Sequence, residues 1–146
     1  MLSSVRIFKT VDINAAVPAV WDTLINPEKI AMYYTGAQTI TNWQVGSEVL
    51  FIHHYEGGTF TNKGIILAND PSHLLSYTYW TVFSNTEDKP ENYTVIIFKM
   101  ETNGDQTKLI FRQSNFKNEV WYKGMETGWD MVLHKMKEIA EKMEKI

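Results

Sequence analysis

The end of the chain constrains the fold most. Over residues 120–145, Met125, Trp129, Val132, Leu133, Met136, Ala140 and Met143 recur at spacings of three and four. That is the period of one helix face, so the segment is expected to form one long helix with an unbroken apolar stripe. Lys135, Lys137, Glu138, Glu141, Lys142 and Glu144 fall on the other side, where oppositely charged neighbours suit a solvated surface. A stripe this long needs an equally long apolar cover. No second helix of that length is encoded, so the cover has to be a sheet.

The rest of the chain supplies it. Residues 4–13 are rich in Val, Ile, Phe and Thr and read as a first strand. Pro18 then suits a first helical turn, where its missing N–H costs nothing. Val17, Val20, Trp21, Leu24 and Ile25 follow at helical spacing. Asn26-Pro27 ends this helix and can cap a second, short one through Ile30 to Met32. Six further strands are expected at 37–43, 48–55, 59–68, 74–83, 91–101 and 107–115. Gly57-Gly58, Asn69-Asp70-Pro71-Ser72 and Asn103-Gly104 are the turns between them. The order is strand, two helices, six strands, helix. It implies an α+β protein with its helices on one face of an antiparallel sheet. With no linker, repeat or low-complexity tract, residues 1–146 read as a single domain.

Composition excludes several chemistries. Zero cysteine removes a disulfide framework, a thiol nucleophile and thiolate metal sites. Fourteen basic against 17 acidic side chains, net −3, do not suit a phosphate-backbone binder, so no nucleic-acid partner is expected. No stretch approaches the ~20 apolar residues of a membrane span, and no signal segment is seen, so a cytoplasmic location is expected. The chain carries no nucleophile elbow, phosphate loop or dinucleotide fingerprint. His53 and His54 are adjacent on a strand and point to opposite faces, so they cannot share one metal. His73 sits in a turn and His134 on the polar flank of the last helix. No metal, cofactor or catalytic residue is therefore assigned.

Four stretches together carry a family resemblance. Ile13 to Pro27 joins an apolar strand end to Val20-Trp21-Asp22 and then Asn26-Pro27-Glu28. Val45-Gly46 precedes the second long strand. Gly64-Ile65-Ile66-Leu67 runs through Asp70-Pro71 to Leu74-Leu75. Thr107-Lys108-Leu109 is followed by Gly128-Trp129 before Val132, Leu133 and Met136. Over essentially its whole length the chain resembles the START/Bet v 1-like superfamily, in the branch related to the activator of Hsp90 ATPase. The resemblance implies a helix-grip fold: a curved seven-stranded antiparallel sheet wrapped around the long C-terminal helix, with two short helices after strand one. It also implies an elongated cavity between sheet and helix, entered near the short helices.

The aromatic content, 13% with 5 Trp, 7 Tyr and 7 Phe, acquires a meaning against that fold. Phe51, His53 and Tyr55 share one strand face with Val49; Tyr77 and Tyr79 share another with Leu75. Phe98 and Phe111 lie on later strands, facing Trp129, Leu133 and Met136 of the helix. Tyr33, Tyr34 and Trp43 flank the short-helix end. These thirteen residues are the candidate ligand wall. Each aromatic alone is equally explained as core filling, and His53 is better explained as a buried histidine satisfied by a tyrosine hydroxyl or water. Trp80 and Trp121 receive no place and read as surface cover.

Three functions are weighed. The preferred one is binding of a small hydrophobic molecule, aromatic, polyketide- or lipid-like, oriented by tyrosine hydroxyls and His53. A cyclase- or hydratase-like enzyme would use His53 and a tyrosine as acid and base. A chaperone interaction module of the Hsp90 type follows from the family name alone.

Overall fold

In a computed structural model, β1 (Arg6–Ile13) leads into α1 (Val17–Ile25) and α2 (Pro27–Tyr33). The chain continues through β2 (Gln38–Ile40), β3 (Glu48–Tyr55), β4 (Gly58–Asp70), β5 (Leu74–Tyr79), β6 (Thr94–Asn103) and β7 (Gln106–Ser114). It closes with α3 (Glu119–Glu144). The structure describes residues 5–144. Ser4 of the expected first strand, Lys145 of the expected last helix and the Met143 side chain lie outside the described residues.

The seven strands form one antiparallel sheet in the order β1-β7-β6-β5-β4-β3-β2. The α1–α2 pair carries the chain from one edge to the other, and the remaining strands return by consecutive hairpins. Asn26 makes the junction of the two helices: its N–H donates to Asp22 O at 2.9 Å, and its Oδ1 accepts from the Glu28 N–H at 3.0 Å. One residue thus closes α1 and caps α2.

Strand β4 bends the sheet. It pairs with β3 as far as Ile65 and with β5 from Ile66 onward, with a register irregularity between Ile66 and Ala68. At Gly64 the β5 backbone comes so close that an added Cβ would lie 1.6 Å from Thr78 O. Only glycine permits that approach.

Several expected boundaries move. β2 spans three residues only. β4 runs on to Asp70, through half of the expected turn, which instead falls on Pro71–His73. β5 stops at Tyr79 because the Thr81 hydroxyl accepts from the Phe83 N–H at 3.3 Å and starts a short 3-10 turn, Val82–Ser84. A second such turn, Pro90–Asn92, delays β6 to Thr94.

The α3 stripe lies on the sheet as its spacing implies. Trp129, Leu133, Met136, Ile139 and Ala140 are buried, as are Ile7, Phe98 and Phe111 on the strands. The Trp129 ring lies 4.0 Å from Phe111 and 5.9 Å from Phe98, centre to centre. Burying each such ring contributes about 1.5–3 kcal/mol. A buried polar chain fixes the register of helix on sheet. The Trp129 indole N–H donates to Gln113 Oε1 at 2.8 Å, and Gln113 Nε2 donates to Thr94 Oγ1 at 2.9 Å. Thr94 Oγ1 in turn donates to Tyr79 O at 2.8 Å. No helix among the described residues is long and apolar enough to cross a membrane.

Candidate functional site

Helix α3 lacks side chains along part of one flank. Gly124 and Gly128 are four residues apart, hence on one side of the helix, and an added Cβ would meet nothing within 4 Å at either. The space left there is a cavity of about 530 Å³ open to solvent. His53 and His54 of β3, Phe60 and Asn62 of β4, Tyr79 of β5, and Thr81 and Phe83 beyond it supply the sheet side. Thr35, Val120, Trp121, Gly124 and Met125 complete the wall. A smaller space of about 170 Å³ adjoins it through Tyr79 and Met125, and adds Tyr34, Gly128, Trp129 and Val132.

The walls are flat and aromatic. His53 stacks on Phe60 with centroids 4.7 Å apart and planes 5° from parallel. Phe83 meets Phe60 edge-on at 4.9 Å and is largely exposed at the mouth. Tyr34 packs edge-on against Phe51 at 5.4 Å and against Trp129 at 6.2 Å.

Polar groups on these walls form short strings. Asn62 Nδ2 lies 3.4 Å from His53 Nε2, and the Asn62 side chain also hydrogen-bonds the Tyr79 hydroxyl. The hydroxyls of Tyr34 and Tyr77 hydrogen-bond each other. Burial pushes the phenols of Tyr33, Tyr34, Tyr77 and Tyr79 well above their usual value, so they remain neutral donors. Burial, with His54 alongside, lowers His53, which is neutral at pH 7. Two buried polar atoms of wall residues, Asn62 Oδ1 and Trp121 Nε1, have no protein partner.

Of the thirteen candidate wall residues, Tyr34, His53, Tyr79 and Trp129 border open space. Tyr33, Phe51, Tyr77, Phe98, Phe111, Leu133 and Met136 are buried side by side in the core. Phe51–Tyr77 at 5.9 Å and Phe98–Phe111 at 5.3 Å show how closely these rings fill the middle of the molecule. Among the described residues, the space that these candidates border lies at the end near the start of α3. Trp43 is half-buried elsewhere, with a left-handed backbone (φ 63°) and its carbonyl accepting from Asn69 Nδ2 at 2.8 Å. Tyr55 is 58% exposed at the far end of β3.

Trp121, read from sequence as surface cover, is buried on the cavity wall and meets Phe116 edge-on at 5.5 Å. It stands four residues before Met125, so the same helical spacing extends the apolar stripe to it, one turn earlier than expected. Asn62, Phe60, Phe83 and Met125 were also missed. The available signal was Gly124 and Gly128, two glycines one turn apart inside a long helix, where glycine is otherwise unfavourable. Among the described residues, no group of three or more His, Asp or Glu could hold a metal ion. The arrangement supplies apolar burial and a few neutral donors and acceptors, which serve binding and orientation.

A curved antiparallel sheet gripping a long C-terminal helix, with space at one end of that helix, defines a protein of the START/Bet v 1-like class. Within it, the family described as activator of Hsp90 ATPase homolog 1-like protein matches residues 14–141, and the chain belongs to that family. No curated protein matches the sequence. Among solved structures, ChR145 from Cytophaga hutchinsonii is similar at 26% identity with a TM-score of 0.82, covering 100% of both chains. The Aha1 dimer from Colwellia psychrerythraea is similar at 21% identity and TM-score 0.75, covering 94% of this chain and 96% of that one. DynU16, from the dynemicin biosynthetic locus, is similar at 12% identity and TM-score 0.76, covering 95% of this chain and 48% of that one.

Proposed function

We propose that this protein binds a small, largely apolar molecule of aromatic character in the cavity beside the start of α3. The observation that carries the reading is an open space of about 530 Å³ walled largely by aromatic side chains. A volume of this size is typical of ligand sites. Each 100 Å² of apolar surface removed from water contributes about 2.5 kcal/mol. The location of DynU16 in the dynemicin biosynthetic locus is in keeping with this reading. Tyr34, His53, Tyr79 and Trp129 serve as wall residues, and the buried rings behind them as a rigid backing.

Titration of isotope-labelled protein with small aromatic compounds tests the proposal. Amide shifts are expected at Tyr79, Phe83, Gly124 and Met125. Shifts confined to the outer face of β2–β4, or none with any compound, would overturn it.

A further inference from the structure

We propose that the ligand carries a hydrocarbon tail that runs along α3, past Met125, into the smaller space beside Gly128. This rests on the binding role above and adds the shape of the ligand and the residue that limits its length.

The two spaces follow one another along one flank of the helix. Val120, Trp121, Gly124 and Met125 border the larger one. Met125, Gly128, Trp129 and Val132 border the smaller one. These positions recur at spacings of three and four, hence on one side of α3. At 1.5 Å per residue, the flank from Val120 to Val132 is about 18 Å long. Tyr79 and Met125 are the walls common to both spaces. The Tyr79 side chain is held by its hydrogen bond to Asn62. Met125 is half-buried and unbranched, so it is the part of the partition that yields to a ligand.

The two spaces differ in chemistry. The larger one mixes aromatic rings with the side chains of Thr35, His53, His54 and Thr81, which suits a polar aromatic head. At the smaller one, each side chain with a polar tip is already hydrogen-bonded within the protein. Tyr34 bonds Tyr77, Tyr79 bonds Asn62, and the Trp129 indole donates to Gln113 Oε1 at 2.8 Å. Met125 and Val132 add only apolar surface, and no residue bordering this space is charged. A polar end placed there would lose its hydration without a partner. A hydrocarbon end has no such cost. The volume is about 170 Å³, and an apolar cavity of roughly 150 Å³ takes up a benzene molecule. Gly128 keeps this space open: an added Cβ there meets nothing within 4 Å, so a larger side chain would occupy it.

A length series with one head group tests the tail: 4-ethylphenol, 4-butylphenol and 4-hexylphenol, all neutral at pH 7. Affinity is read by nuclear magnetic resonance titration. In the unaltered protein it is expected to rise about fourfold for each methylene buried. Val132 methyl resonances should move with 4-hexylphenol and stay in place with 4-ethylphenol. Gly128→Leu should level the series, so that the three compounds bind alike, and Gly128→Ala, a smaller intrusion, should cut the gain part-way. Binding of 4-ethylphenol with no gain from the longer chains would overturn the tail while leaving the pocket standing. So would a gain that Gly128→Leu and Gly128→Ala leave intact. No binding by any of the three would overturn the binding role itself, and this inference with it.

Discussion

The indole N–H of Trp129 donates to Gln113 Oε1 at 2.8 Å, and both side chains are buried. This single bond joins the middle of α3 to β7, and through Thr94 to the end of β5. It converts a non-directional apolar contact into a fixed register. Replacing Trp129 with Phe keeps a ring but leaves Gln113 Oε1 without its donor. An unpaired buried acceptor costs about 1–3 kcal/mol. Urea unfolding should show that loss as a lower midpoint at unchanged slope. An unaltered midpoint would mean that the bond contributes nothing to stability.

Gly64 is a second structural pivot. A Cβ there would sit 1.6 Å from Thr78 O, a backbone atom that cannot move without disturbing the β4–β5 pairing. Gly64→Ala should therefore cost ~3 kcal/mol, at the upper end of overpacking. Calorimetry would register this as a fall in Tm of roughly 6–12 °C, taking 2–4 °C per kcal/mol for a chain of this size.

Gly124 has open space around it and lines the cavity, so the opposite outcome is expected. Gly124→Leu should hold or raise Tm, because glycine inside a helix is worse than leucine by roughly 0.8 kcal/mol. The same side chain should fill the cavity and abolish ligand-induced shifts. A variant that is stable and still binds would place the ligand elsewhere.

The buried phenols make stability fall at alkaline pH. Burial raises Tyr33, Tyr34, Tyr77 and Tyr79 above 10 in the folded protein. Unfolded tyrosines release their protons near pH 10, so above that pH the native state binds more protons and stability declines. Below pH 10 the contribution is present in full. Urea midpoints measured from pH 8 to 11 should be level at first and then drop, with tyrosinate absorbance rising together with unfolding. A gradual tyrosinate rise in folded protein, involving all seven tyrosines, would contradict the burial.

His53 works at the other end of the scale. Its folded value lies below 6.5 because burial, helped by His54, disfavours the imidazolium. The unfolded chain takes up its proton first as pH falls, so stability present above 6.5 is lost on acidification through that folded value. A side-chain resonance titration of His53 should show a midpoint below 6.5. A midpoint above it would require a carboxylate neighbour that the cavity wall does not contain.

Much of this protein is legible along the chain because local periodicity encodes direction. Alternation places Val49 and Phe51 on the inner face of β3, and both are buried. The same alternation puts Tyr55 on that face, yet Tyr55, the last residue of β3 beside the hairpin turn, is 58% exposed. Parity determines the face but not the depth. Trp121 departs in the opposite sense: read as surface cover, it continues the apolar stripe by one turn, four residues before Met125, and is buried against Phe116, a residue from the loop before its own helix. The aromatic surplus shows the same division. Phe98, Phe111 and Met136 are core, whereas Tyr79 and Trp129 border space, and all five satisfy the same inward pattern.

The sequence by itself determined the order of the elements, the inward face of each strand, the stripe of α3 and the junction at Asn26. These depend on residues within a few positions of one another. Tertiary structure alone decided where the interior stays open. A cavity is the volume left over when side chains from distant segments have been packed. Here His53, Asn62, Tyr79 and Trp121 come from four different elements, and they meet around the side chains that Gly124 and Gly128 do not have.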